Sequence, residues 1–272
     1  MGKVGNALSK AAESEAIENK ERKVKKSGKR NKGPAIPDSW EERFRFGLQY
    51  MPEVAENIRT LRTRILYPVM GKSPRSILVT SASPGEGKSY ICANLGLSLS
   101  QGVDSYCMVV DCDLRRPTQH RLFGVSNLKG VSDYLQAQVP LENLICKSGV
   151  PKLSILPCGS LPENPSELSG SSNMVALIEE LEARYDDRLI VLDSPPLNAA
   201  AETAILAQQV DGVVLVVRHG QSRREHIRAL VETIGRDKII GVVFNAYKTN
   251  LLDYKVFGYY SDYQSKYYYT DE

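Results

Sequence analysis

A doubly wound α/β fold, built on a mostly parallel sheet, is what this 272-residue sequence predicts. Three observations carry the prediction. Short apolar runs at 77–79, 106–110, 153–156, 188–193, 212–217 and 239–244 alternate with helical stretches, the pattern of parallel strands joined by crossover helices. The first run breaks into a Pro/Gly loop, Ser81–Ser89 (S-A-S-P-G-E-G-K-S). Two later runs end in carboxylates, Asp111 with Asp113 and then Asp193, at the strand ends where open α/β sheets bind ligands.

Composition sets the outer bounds. Hydrophobic content of 42% and charged content of 25% are ordinary for a domain with a sizeable core. No run of 18 apolar residues and no charged-then-apolar leader is present, so a soluble, cytosolic chain is expected. The five cysteines, Cys92, Cys107, Cys112, Cys146 and Cys158, lack C-x-x-C spacing and are odd in number. Reduced thiols follow. Residues 1–33 carry ten Lys/Arg against four Glu, a local +6; with the whole chain at +3, the remainder is −3.

Residues 1–37 hold few large apolar groups and are expected to form a disordered basic arm. Its Lys20–Lys32 stretch is either a solubilising tail or a surface for anionic lipid or an acidic partner. The folded part is expected to run from residue 38 to 249, with Trp40, Phe44 and Phe46 as the first packing groups. Met51–Tyr67 reads as an amphipathic helix: Pro52 suits its first turn, Val54, Ile58, Leu61 and Ile65 form the apolar stripe, and Pro68 stops it. Glu56, Arg59 and Arg62 fall in a row on another face. By spacing alone this E-x-x-R-x-x-R is an intrahelical surface pair or an interface, the first being the commoner case.

The loop after Ile77–Val79 opens a helix, so its amides and helix N-terminus can surround a phosphate. Lys88 can reach the β/γ oxygens and Ser89 can ligate Mg²⁺. The strict G-x-x-x-x-G-K-[ST] pattern has Ala82 in place of its first Gly. A helix to about Ser100 follows, then the strand Tyr106–Val110 and its D-C-D-L-R-R-P end. Asp111 and Asp113, at i and i+2, point to one side, a geometry that suits a metal ion and proton transfer, although such an end is also a common turn.

Short helices are expected at 130–136 and 141–145, a third strand at Leu153–Leu156, and one helix from about Ser166 to Arg184 started by Pro165. R-L-I-V-L-D-S-P-P at 188–196 is a strand with a terminal carboxylate. The strands Gly212–Val217 and Ile239–Phe244 flank a helix at 222–234, and Asn245 ends the last strand as an adenine contact or a cap. Residues 250–272 then carry seven tyrosines, Tyr254, Tyr259, Tyr260, Tyr263, Tyr267, Tyr268 and Tyr269, with neither strand nor helix period. The segment lacks the dense Lys/Arg of a nucleic-acid binder, so no nucleic-acid partner is expected.

These motifs in this order resemble the bacterial protein-tyrosine kinases (BY-kinases), the cytoplasmic autokinases of exopolysaccharide and capsule synthesis. S-A-S-P-G-E-G-K-S matches Walker A, V-V-D-C-D-L-R-R-P Walker A′, I-V-L-D-S-P-P Walker B, and L-P-E-N-P-S-E-L a family segment. The resemblance runs from about Glu53 to the C-terminus and implies a P-loop NTPase using ATP and Mg²⁺. Ser83, Pro84, Gly85, Glu86, Gly87, Lys88, Ser89 and Tyr90, with Asn245, would hold the nucleotide. Ser89, Asp113 and Asp193 would serve the metal, and Asp111 would be the base for the tyrosine proton. The resemblance further implies phosphorylation of the seven tail tyrosines and a ring built through Glu56, Arg59 and Arg62. It implies a membrane-spanning polysaccharide co-polymerase as activator, a cognate tyrosine phosphatase, and a place at the inner face of the cell membrane. The rival reading is a partition or division-site ATPase, a group that carries a second Lys five residues before the loop Lys; here that position is Ser83.

Overall fold

The computed structural model describes residues 36–68, 71–102, 105–185, 187–199 and 202–247. The basic arm up to residue 35 and the tyrosine-rich segment lie outside them.

The elements in chain order are α1 (Glu42–Tyr50), α2 (Pro52–Leu66), β1 (Ser76–Ser81), α3 (Lys88–Ser100), β2 (Tyr106–Asp111), α4 (Gln119–Leu122), α5 (Val131–Ala137), β3 (Cys146–Lys147), β4 (Leu153–Leu156), α6 (Pro165–Ser169), α7 (Ser172–Arg184), β5 (Arg188–Asp193), α8 (Glu202–Gln209), β6 (Gly212–Arg218), α9 (Arg224–Ile234) and β7 (Ile239–Asn245). The sheet runs β3-β4-β2-β5-β1-β6-β7. Every neighbouring pair is parallel except β3 with β4. This is the predicted doubly wound sheet with one antiparallel edge.

Both faces of the sheet are covered except at the edge strand β7, where Ile240, Val242 and Phe244 are exposed, and alternate strand residues separate into two cores. Leu78, Met108, Val110 and Leu192 pack with α7, α8 and α9 on one side. Ile77, Val79, Val109, Val191 and Val214 pack with α1, α2 and α3 on the other. Gly96 lets α3 sit close on β2: a Cβ there would lie 2.3 Å from Val109 Cγ2. Trp40 anchors α1, stacking on Phe44 at 5.3 Å and meeting Phe123 edge-on at 5.0 Å. Its indole N–H donates to the Ser148 carbonyl at 2.8 Å.

The expected helix from Ser166 to Arg184 is in fact two. α6 ends at Gly170, and Ser171 caps α7, its hydroxyl accepting from Met174 N. A Ser at the N-cap satisfies an amide that a continuous helix would have bonded internally. The strand at Leu153–Leu156 is the fourth rather than the third, because the two-residue β3 precedes it. The expectation did not include α1 or α8. All five cysteines are free thiols, as expected.

Candidate active site

The phosphate loop leaves β1 at the carboxyl edge of the sheet and ends at the N-terminus of α3. Its left-handed positions are Gly85 (φ 79°) and Gly87 (φ 93°), not Ala82. Ala82 is buried, and its carbonyl accepts from Asn198 N at 3.1 Å. The missing glycine of the pattern therefore costs the loop no conformational freedom.

The far end of the sheet braces this loop. Arg218 donates to the Gly85 carbonyl at 2.7 Å, Asn245 Nδ2 to the Glu86 carbonyl at 2.8 Å, and Gln221 to the Pro84 carbonyl at 3.3 Å. Glu86 is buried and turns inward: its carboxylate accepts from Ser83 N at 3.2 Å and from the Ser222 hydroxyl. Of the residues expected at the nucleotide, Glu86 thus shapes the loop with its side chain. Asn245 Oδ1 accepts from Ala246 N at 2.8 Å, so this side chain is a strap between β7 and the loop. The Tyr90 ring packs edge-on against Phe44 at 5.7 Å, within the aromatic cluster. Ser83 Oγ lies 3.3 Å from His226 Nδ1.

The acidic residues converge as the sequence implies. β2 and β5 are paired with Asp111 opposite Asp193. Lys88 Nζ donates to Asp113 Oδ2 at 3.0 Å and lies 3.4 Å from Ser89 Oγ. Burial by itself would push the Lys88 ammonium down, but Asp193, Asp113 and Asp111 hold it above its usual value. Burial pushes Asp193 up, and the Lys88 charge and the Ser89 and Gln119 side chains pull it back only in part. Asp111 is pushed well above the usual carboxylate range, first by burial and then by Asp193. Its Oδ2 accepts from Thr118 N and Gln119 N, each at 2.9 Å, while Oδ1 accepts only from Asp113 N, at 3.3 Å.

One residue here escaped the sequence reading. Gln119, at the start of α4, donates from Nε2 to Asp193 Oδ2 at 2.8 Å and to the Ser89 carbonyl at 3.0 Å. Only its place eight residues after Asp111 marks it. Glu56, Arg59 and Arg62 do share one face of α2. Glu56 and Arg59 form an ion pair at 2.5 Å, and Arg62 donates to the Ser98 carbonyl at the end of α3, at 2.8 Å.

These donors fit a Mg²⁺ ion. Asp193 Oδ1 is buried with no hydrogen-bond partner, and the Ser89 hydroxyl and Asp113 carboxylate complete a hard-oxygen set. No group of three or more His, Cys, Asp or Glu arranged for a metal occurs among the described residues. That is no obstacle for an ion whose other ligands are water and phosphate. A cleft of about 730 Å³ opens over Lys88, Ser89 and Asp113 and extends to Leu161, Pro162 and Pro196.

Comparison with known proteins sorts the two readings that the fold admits. No family model matches the chain. Tyrosine-protein kinase YwqD of Bacillus subtilis is 34% identical over 208 residues, 76% of this chain and 86% of that protein. Tyrosine-protein kinase CpsD of Streptococcus agalactiae is 29% identical over 216 residues, 78% of this chain and 92% of that protein. Tyrosine-protein kinase wzc of Salmonella typhimurium is 30% identical over 77% of this chain, which spans only 29% of that longer protein. Among solved structures, the kinase domain of Escherichia coli tyrosine kinase ETK superimposes with a TM-score of 0.69 and 28% identity, covering 84% of this chain and 87% of that one. The septum site-determining protein MinD of Pyrococcus horikoshii reaches a TM-score of 0.54 at 21% identity over 65% of this chain and 72% of that one, a likeness of fold. Identity sustained along most of YwqD decides what the shared fold leaves open: this chain belongs to the bacterial tyrosine-protein kinases.

Proposed function

We propose that this kinase phosphorylates the tyrosines of its own C-terminal segment in trans and so regulates the polymerisation and export of an exopolysaccharide or capsule. The observation that carries the chemistry is the convergence of Lys88, Asp113, Asp111 and Asp193 at one end of the sheet. In this reading the loop amides, Ser83 to Ser89, cradle the ATP phosphates and Lys88 holds the γ-phosphoryl oxygens. Bound at Ser89, Asp113 and Asp193, Mg²⁺ would offset the charge that develops on the transferred group. Asp111 takes the phenolic proton as the tyrosine oxygen bonds to the γ-phosphorus and the bond to the ADP oxygen breaks. Burial and the Asp193 charge raise its affinity for a proton, which suits a base, and Oδ1, with its single long hydrogen bond, is the less committed of its two oxygens.

The Glu56/Arg59/Arg62 face of α2 would build the ring, with Arg62 tied to Ser98 as its fixed post. A separate membrane-spanning co-polymerase would activate the kinase at the inner face of the membrane, and a cognate phosphatase would reset it. Among the described residues no helix is long and apolar enough to cross a membrane. The tail reading rests on seven tyrosines in its last 23 residues. Fully extended, these span about 75 Å, far enough to reach a neighbour in a ring.

Intact-mass analysis after incubation with Mg·ATP tests the activity: successive phosphoryl additions are expected, and a chain that turns over ATP with no added mass counts against it. For the trans step, a Lys88→Met chain with its tail is mixed with an active chain lacking residues 250–272. Phosphotyrosine should appear on the inactive chain. Replacing Glu56, Arg59 and Arg62 by Ala should leave a folded monomer by light scattering.

A further inference from the structure

The cleft at the sheet edge is longer than a phosphate site. Beyond Lys88 and Asp113 its wall is apolar, formed by Leu161, Pro162, Pro165, Pro195 and Pro196. Leu161 is 64% exposed there. Proline rings and a leucine offer flat apolar faces on which a phenol ring can rest while its oxygen reaches the carboxylates.

Two adjacent arginines, Arg115 and Arg116, line this outer half and differ in what they already hold. Arg115 is committed: Nε and Nη2 each donate to Glu202 Oε1 at 3.2 Å, and Nη2 also donates to the Ser166 hydroxyl. Glu202 is nearly buried, so that guanidinium is neutralised where it stands. Arg116 is exposed and makes no ion pair with any carboxylate among the described residues. Its backbone N–H donates to Asp113 Oδ1 at 3.0 Å, which fixes its Cα beside the acidic cluster. An uncommitted guanidinium therefore stands on the lip of the cleft, three residues along the chain from Asp113. Glu163 lines the same outer wall and is exposed.

The tail supplies the complement. Two of its seven tyrosines directly follow an aspartate, in Asp253-Tyr254-Lys255 and Asp262-Tyr263. Tyr267 instead follows Lys266, and Tyr259, Tyr260, Tyr268 and Tyr269 follow neutral residues. We infer that Arg116 selects the tail tyrosines preceded by aspartate, so that Tyr254 and Tyr263 are the preferred acceptors and Tyr267 is disfavoured; this rests on the proposed tail phosphorylation. In this arrangement the acceptor lies along the apolar wall with its preceding residue toward the lip, where a guanidinium can take a carboxylate through two hydrogen bonds. Glu163 favours Lys255 after Tyr254 and so adds to the preference for that site. Selection of this kind works equally by rejection, since Lys266 meets Arg116 as a like charge.

The test is site-resolved mass spectrometry of the full chain after brief incubation with Mg·ATP, read as the ratio of phosphate on Tyr254 and Tyr263 to that on Tyr267. An exposed ion pair gives a preference of only a few-fold, and charge reversal should move the ratio by about fivefold or more. Arg116→Glu is expected to lower the ratio. Asp262→Lys should lower the share of Tyr263 in the otherwise unaltered chain and restore it in the Arg116→Glu chain. A ratio that Arg116→Glu leaves unchanged, or a Tyr263 share indifferent to Asp262→Lys, overturns the inference while tail phosphorylation stands. A tail without any phosphotyrosine in the unaltered chain removes the tail reading and the inference with it.

Discussion

Gln119 donates to Asp193 Oδ2 at 2.8 Å, and through the same amide to the Ser89 carbonyl at 3.0 Å. One buried side chain thereby joins the start of α4, the end of β5 and the first turn of α3. It holds the Asp193 carboxylate through Oδ2, while Oδ1 is buried without a hydrogen-bond partner. Gln119→Ala should cost about 1–3 kcal/mol of stability, the penalty for stranding a buried acceptor. It should also raise the Mg²⁺ concentration needed for half-maximal rate. Denaturant unfolding and a Mg²⁺ titration of autophosphorylation check the two effects.

The acidic residues should separate by role. Lys88→Met removes the cation whose charge opposes the raised pKa of Asp193, and autophosphorylation is expected to vanish while the fold remains by circular dichroism. Asp113→Ala and Asp193→Ala should raise the Mg²⁺ requirement. Asp111→Asn should leave nucleotide binding nearly intact and lower the rate roughly 10²-fold or more. If Asp111→Asn instead disturbs Mg²⁺ titration and keeps its turnover, base and ligand are exchanged.

Bracing of the phosphate loop from β6 and β7 predicts changes in nucleotide binding from residues outside the loop. Arg218→Ala and Asn245→Ala each free a loop carbonyl and should raise KM for ATP several-fold, about 1 kcal/mol for a lost hydrogen bond, with a smaller change in kcat. Gly87→Ala should be worse. Its Cβ would stand 2.2 Å from Asn245 Nδ2 at a φ of 93°. Adding Asn245→Ala relieves the collision but not the backbone strain, so the double variant should recover only part of the loss. Steady-state kinetics of the three single variants and the double variant measures this.

Tyr134 gives the chain an alkaline marker away from the site. Burial, then its 2.7 Å hydrogen bond to Glu180 and that carboxylate's charge, push its phenol up to about 12. Because the folded pKa lies above the ordinary value of 10.0, the contribution to stability is fully present below about pH 10 and is lost as pH rises through about 12. Ultraviolet titration should show a late-ionising tyrosine component, to which the partly buried Tyr90 also contributes, and Glu180→Gln should lower the part that belongs to Tyr134.

Where local chemistry is decisive, the sequence alone sufficed. The strands at 76–81, 106–111, 188–193 and 212–218 announce themselves by apolar runs largely buried on both faces, the edge strand at 239–245 by an apolar run half-buried against α2, and two of the five end in carboxylates, Asp111 and Asp193. The helix Pro52–Leu66 followed from its stripe and its prolines. Lys88, Asp111, Asp113 and Asp193 were legible because strand, loop and helix order places them along one sheet edge. Only the tertiary structure decided what those motifs lean on. The single helix read from 166 to 184 continues the apolar spacing across Gly170, and the break exists because Ser171 caps a new helix against the core. Two-residue β3 is too short for a pattern, and its pairing with β4 is what makes it a strand. Gln119 and Arg218 carry no signature, since their partners lie 74 and 133 residues away and come into reach only when the sheet assembles. Asn245 shows the same limit from the other side: its place at a strand end suggested a contact with the base or a cap, and the tertiary structure adds its hydrogen bond to the phosphate loop at Glu86 beside Gly87.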